Sequence, residues 1–213
     1  RSCLGQRNAA LMGDRSQAEQ ELWEARLATA AAAVVARRLR AFTTWVGGFT
    51  DCFDALKYEG FGEVEVRYRG EADVGNSEDE LLLAEYYRQR YHGYRARDRQ
   101  AGYTLEGPHR HDLSLRVDGR GVRDVLSAGQ IKVVAGALCL STLMQVEERR
   151  SERLPVLIDD ADAEIDARVL TRLVALLGSD RQVFLSSAHE ENIRSVVSRA
   201  QVHRVENGAV IGT

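Results

Sequence analysis

Leu154-Pro-Val-Leu-Ile158, followed at once by Asp159-Asp160, decides the fold class of this chain. A short apolar run with branched residues reads as a buried strand, and this one ends in paired carboxylates. In open α/β sheets ligands bind at the carboxyl ends of strands, where acid of this kind suits the magnesium ion of a nucleotide. Downstream, helical spacing over Ala167–Leu177, an apolar run over Gln182–Ser186, a second helical stretch over Glu190–Ser198 and a strand pair near Val202–Val210 continue the alternation. Strand and helix in turn imply parallel strands covered by helices. Upstream, Ser127-Ala-Gly-Gln130 opens the segment Ile131–Val146, whose apolar residues fill nearly every side, as in a buried helix.

Toward the amino terminus the pattern changes. From Ser16 to about Phe53, Leu22, Trp23, Leu27, Ala30, Ala31 and Val34 recur at helical spacing, which predicts one long helix. Val64, Val66 and Tyr68 alternate with Glu65, Arg67 and Arg69 as a half-exposed strand. Gly70–Ser77 reads as a loop, and Glu78–Arg99 returns to helical spacing, dense in arginine and tyrosine. Basic residues interleaved with aromatics suit a surface that tracks a nucleic-acid backbone, and Arg88, Arg90, Arg95 and Arg97 are its candidates. Tyrosines at this spacing equally cover the edge of a core with their hydroxyls in water. Leu113, Leu115 and Val117 alternate before Asp118-Gly119, a hairpin signal. These patterns divide the chain into a mainly helical part, residues 1–100, and an α/β part, residues 101–213.

The 213 residues carry a formal net charge of −3, with 44% hydrophobic and 29% charged residues. Nothing in that balance demands a polyanion partner, although nearly all the positive charge is arginine, suited to bidentate phosphate contacts. Cys3, Cys52 and Cys139 show no paired spacing, which argues against a zinc site or a disulfide framework and fits a reducing, cytoplasmic setting. Ala28–Ala36 is too short for a membrane span, and no signal peptide is evident. Arg1 falls inside what reads as a polar helical segment, so the expectation is a piece of a longer protein.

Asp159 and Asp160 have the chemistry for phosphoryl transfer, in which one carboxylate holds Mg²⁺ and a neighbour orients or deprotonates water. The alternative is that they cap a helix beginning near Ala163. Ser127-Ala-Gly-Gln130 places small residues and a helix's positive end where an anion would sit, or is an ordinary cap. No Gly-x-x-x-x-Gly-Lys-Ser/Thr loop occurs, and neither lysine, Lys57 or Lys132, stands in that pattern. Alternate residues on a strand point the same way, which would put His109 and His111 on one face, but a third metal ligand is not identified, so hydrogen bonding by His109 and Arg110 in a buried turn or an interface is the expected role. After the strand Gln182–Ser186, Ser187 stands more naturally than His189 at the level of a phosphate-sensing side chain.

In order along the chain, several segments resemble the RecF family, SMC-like ABC-type ATPases of bacterial recombinational repair, in its carboxyl-terminal portion. Gln6-Arg-Asn-Ala-Ala-Leu11 is similar to that family's Gln-Arg-Asn-x-x-Leu. Gly102-Tyr-Thr-Leu-Glu-Gly-Pro-His-Arg-His-Asp-Leu113 is similar to its Gly-x-Thr-x-x-Gly-Pro-His-Arg-Asp-Asp-Leu, with His111 in place of aspartate. Ser127-Ala-Gly-Gln130 resembles the signature Ser-x-Gly-Gln, with Ala128 where glutamine is common, and Val156–Asp166 resembles the Walker B and D-loop segment. The resemblance implies an ABC-type ATPase lobe with an inserted mainly helical domain, the Walker A lobe lying outside this chain. It implies Asp159 as the magnesium ligand and Asp160 as the acid beside the attacking water. Ser127, Gly129 and Gln130 would meet the γ-phosphate of ATP held by a second subunit, with Asp166 at the interface of an ATP-dependent homodimer. Implied partners are DNA at gaps and single-strand/double-strand junctions, and the mediators RecR and RecO. Two other readings stay open: a non-catalytic DNA- or protein-binding module on a degenerate scaffold, and an SMC-like head fragment.

Overall fold

The computed structural model describes residues 2–13, 15–70, 77–161, 165–196 and 200–211. Its chain divides into two units, one of residues 1–46 and 64–119 and one of residues 47–63 and 120–213. The division expected between residues 100 and 101 therefore lies elsewhere, because a strand beyond that point pairs with one before it. β1 (Val64–Arg69) and β2 (Asp112–Val117) run antiparallel in the register Val64↔Val117, Val66↔Leu115 and Tyr68↔Leu113. Apolar residues thus share one face, while Glu65 opposes Arg116 and Arg69 opposes Asp112 on the other. Asp118 (φ 50) and Gly119 (φ 77) form a left-handed turn that reverses the chain into the short β3 (Arg120–Gly121).

The first unit is built on the predicted long helix. α1 spans Cys3–Met12 and α2 spans Gln17–Leu56, the unit boundary falling inside α2 at Gly47. Leu27, Ala28, Ala31, Ala32, Val35, Ala36 and Leu39 make a buried stripe, and Leu83, Tyr87 and Tyr91 complete the cluster. The run of alanines keeps that stripe low enough for tyrosine rings to lie on it. The single helix expected over Glu78–Arg99 is two, α3 (Glu80–Gly93) and α4 (Arg95–Ala101), parted at Tyr94. Tyr87 and Tyr91 are each 1% exposed, so they fill the core rather than rim it. The loop expected over Gly70–Ser77 lies mostly outside the described residues.

The second unit contains the short α5 (Val122–Val125), α6 (Ala128–Arg150), β4 (Val156–Ile158), α7 (Ala167–Leu177), β5 (Val183–Leu185), α8 (Glu190–Val196) and the hairpin β6–β7 (Arg204–Glu206, Ala209–Ile211). β4 and β5 are parallel, Ile158 opposite Leu185, as the strand–helix–strand pattern requires. Neither is the fully buried strand the sequence suggests, since Leu157 and its partner Phe184 are 76% and 53% exposed on one face. α6 is likewise half-buried: Val133, Val134, Ala137, Leu140 and Ser141 face inward, and Gly136 lets Leu56 and Leu173 approach. Among the described residues α6 is the one helix long and apolar enough, by length and composition, to cross a membrane.

Candidate functional site

At the carboxyl end of β4 the chain turns sharply. Asp159 and Asp160 are both exposed, and Asp160 takes a left-handed conformation at φ 47. Aspartate is among the few residues with a side chain that tolerate this, and such outliers cluster where function needs a carboxylate aimed off the strand axis. The turn is tied to β5, with Ser186 N–H donating to Ile158 O at 3.0 Å and Ala161 N–H donating to Ser186 O at 2.9 Å. The Ser186 hydroxyl accepts from Asp160 N–H at 2.9 Å and donates to Asp159 Oδ1. The helix start expected near Ala163 lies outside the described residues; among the described ones the cap is Asp166, whose Oδ1 accepts from Arg168 N–H at 2.7 Å at the start of α7.

Ser127 is the N-cap of α6, and its setting is a full capping box. Its hydroxyl accepts from Gln130 N–H at 3.3 Å while Gln130 Oε1 accepts from Ser127 N–H at 3.0 Å. Helix geometry leaves the Ala128 and Gly129 amides directed outward at the positive end of a 23-residue helix. The cap and anion readings are thus compatible, since one set of amides is satisfied locally and another is presented. Ser187 hydrogen-bonds locally: its hydroxyl accepts from His189 N–H at 2.9 Å and donates to His189 O at 3.0 Å.

The other end of α6 carries a buried ion cluster that sequence reasoning missed. Glu147 Oε2 lies 2.6 Å from Arg181 and 2.9 Å from Arg153, and Oε1 accepts from Leu154 N–H at 2.8 Å. Burial pushes this carboxyl up, but the Leu154 amide, the Arg153 bond and the Arg181 charge outweigh it and hold the pKa below the ordinary value. The bond to Leu154 fixes the chain where it enters β4.

The motifs Gln6-Arg-Asn and Gly102-Tyr-Thr meet inside the first unit. Arg7, 1% exposed, donates to Asp98 Oδ2 and Thr104 Oγ1 at 2.7 Å each and to Tyr91 O at 2.8 Å, its guanidinium 4.9 Å from the Tyr91 ring centroid. Asn8 Oδ1 accepts from Thr104 N–H and hydroxyl, and Asp98 Oδ1 from Leu105 N–H. Glu24 joins Arg7 at 3.4 Å and Arg95 at 2.6 Å. His109 bonds Thr104 O at 3.1 Å, whereas His111 lies 2.6 Å from Tyr68 Oη, so the two imidazoles go to different partners. No cluster of three or more histidine, cysteine, aspartate or glutamate side chains that could hold a metal ion occurs among the described residues.

This network also sorts the arginines proposed for nucleic acid. Arg95 is committed to Glu24, whose bond holds its guanidinium strongly charged, and Arg90 bonds Glu106 at 2.5 Å. Both are part-buried internal ion pairs. Arg88 is exposed and pairs with Glu85 at 2.9 Å, and exposed Arg97 lies 5.7 Å from the Tyr94 ring centroid.

No family model matches the chain. It is 31% identical over 199 residues to the DNA replication and repair protein RecF of Saccharophagus degradans, covering 91% of this chain and 51% of that protein. The RecF of Heliobacterium modesticaldum is 30% identical over 211 residues, 96% of this chain and 56% of its own length. The Bacillus subtilis RecF is 28% identical over 214 residues, 98% and 58% respectively. The chain thus spans about half the length of the curated relatives it matches. Among solved structures, the recombination mediator protein RecF-ATP in the RecFOR pathway superposes with a TM-score of 0.75 at 21% identity over 98% of this chain and 55% of that one. A second RecF structure, RecF-ATPrS, gives 0.79 at 22% identity with the same coverage. The fold is therefore that of RecF, and the chain belongs to the RecF family, corresponding to the C-terminal part of its proteins.

Proposed function

We propose that this chain supplies the signature and Walker B half of an ATP-dependent DNA-binding protein of replication and recombinational repair. The observation that carries the reading is the strand-tip pair Asp159-Asp160, fixed by Ser186 at the carboxyl end of a parallel strand in a RecF fold. The donor set fits a hard cation: two exposed carboxylates, with Asp159 Oδ2 left outside the Ser186 bond. Mg²⁺ held there would offset negative charge developing on transferring phosphoryl oxygens. Asp159 serves as its ligand, and Asp160 orients or deprotonates the attacking water. The outward amides of Ala128 and Gly129, with Ser127 and Gln130 forming the cap, receive the γ-phosphate of ATP bound by a second copy, and Asp166 stands at that interface.

In this reading the first unit is the inserted, mainly helical domain, and DNA at gaps and single-strand/double-strand junctions is the polymer bound. Arg88 and Arg97 are its exposed candidates; Arg90 and Arg95 shape the surface from beneath it. RecR- and RecO-type mediators are the partners, with recombinase loading the outcome. The test is ATP turnover by the full-length protein, with and without gapped DNA, beside Asp160→Asn. Turnover that the substitution abolishes is the expected result. DNA binding without turnover in the unsubstituted protein overturns the catalytic part and leaves a binding module.

A further inference from the structure

Ser186 makes two kinds of bond to the tip of β4. Its backbone bonds, to Ile158 O and from Ala161 N–H, extend the parallel ladder and belong to any residue at this position. Its hydroxyl bonds act only on the acidic pair: the oxygen accepts from Asp160 N–H at 2.9 Å, and the single proton goes to Asp159 Oδ1. One hydroxyl thereby holds the backbone of one aspartate, at a left-handed φ of 47, and the carboxylate of the other. Ser187, next in sequence, spends its hydroxyl on His189 instead.

We propose that Ser186 is the positioning residue of the candidate metal and phosphate site. Its hydroxyl fixes Asp159 Oδ1 so that the remaining oxygen is presented to a divalent cation, and it locks the Asp160 turn that aims the second carboxylate. The assignment rests on the nucleotide-site reading above. Partners that orient a ligating carboxylate typically contribute about 10- to 100-fold in metal affinity, and the exposure of this site puts the effect near the lower end. Because the ladder bonds do not involve the side chain, removing the hydroxyl leaves the fold in place.

The experiment titrates Mn²⁺ as the probe ion into the full-length protein with ATP present, followed by electron paramagnetic resonance. Ser186→Ala and Ser186→Val raise the half-saturating Mn²⁺ concentration about tenfold, whereas Ser186→Thr, which matches valine in shape and keeps the hydroxyl, stays near the unsubstituted value. ATP affinity in EDTA and the thermal midpoint are the same in all. Amide exchange at Asp160 in the full-length protein quickens in the alanine and valine variants but not in the threonine one. Unchanged Mn²⁺ affinity in Ser186→Ala, or threonine behaving like valine, overturns the proposal. A wild-type protein that takes up no Mn²⁺ with ATP refutes the nucleotide-site reading itself, and this assignment with it.

Discussion

Replacing Arg7 by methionine isolates the buried ion cluster of the first unit. Methionine preserves most of the aliphatic stem and removes every donor, so volume changes little while Asp98, 1% exposed, keeps only the Leu105 amide. The lost bonds are those to Asp98 and Thr104 at 2.7 Å, to the Tyr91 carbonyl at 2.8 Å and, more weakly, to Glu24 at 3.4 Å, which keeps its pair with Arg95. Breaking a buried pair by removing one partner costs about 3–5 kcal/mol, most of it the uncompensated charge left behind. With a urea m-value of about 1–3 kcal/mol per M, the midpoint falls by about 1 M or more. Trp23 and Trp45 both lie in this unit, so fluorescence reads its unfolding directly. Adding Asp98→Asn to Arg7→Met removes the stranded charge and recovers part of the loss. A single-variant loss below about 1 kcal/mol, or a double variant less stable than Arg7→Met, refutes the argument that stranded charge dominates.

Glu147 makes acid the second test. Its folded pKa lies below its ordinary value of 4.5, so its contribution is present above that pH and is lost as pH falls through the folded pKa. Glu147→Gln, which strands buried Arg181, costs about 3 kcal/mol or more at neutral pH, and urea midpoints converge with wild type in acid. At the strand tip, Asp160→Gly is neutral or slightly stabilising, whereas Asp160→Val costs about 1–2 kcal/mol by calorimetry, since a branched side chain resists positive φ. On the surface, Arg88→Gln with Arg97→Gln leaves stability within about 0.5 kcal/mol and lowers the salt slope of DNA binding by about two. Arg90→Gln and Arg95→Gln instead lower stability by about 1–3 kcal/mol each, seen in the same urea titrations.

The sequence by itself determined what depends on neighbours along the chain. Helical spacing places α2 and α7, alternation places β1 and β2, and an apolar run ending in two acids places the carboxylates at a strand tip. Ser127 and Gln130 meet across one turn, so their cap was legible as well. What the tertiary structure decided depends on partners distant in sequence. Arg7 is buried because Asp98, Thr104 and the Tyr91 carbonyl converge on it, and Arg90 and Arg95 are internal because Glu106 and Glu24 lie beside them. In the sequence all three are simply arginines amid polar residues. The unit boundary moved because β2 pairs back onto β1, a register that no local pattern encodes. Ser186 emerged as the partner of Asp159 and Asp160 only when β5 was laid parallel to β4, because the bonds that orient a site run across a sheet while periodicity runs along the chain.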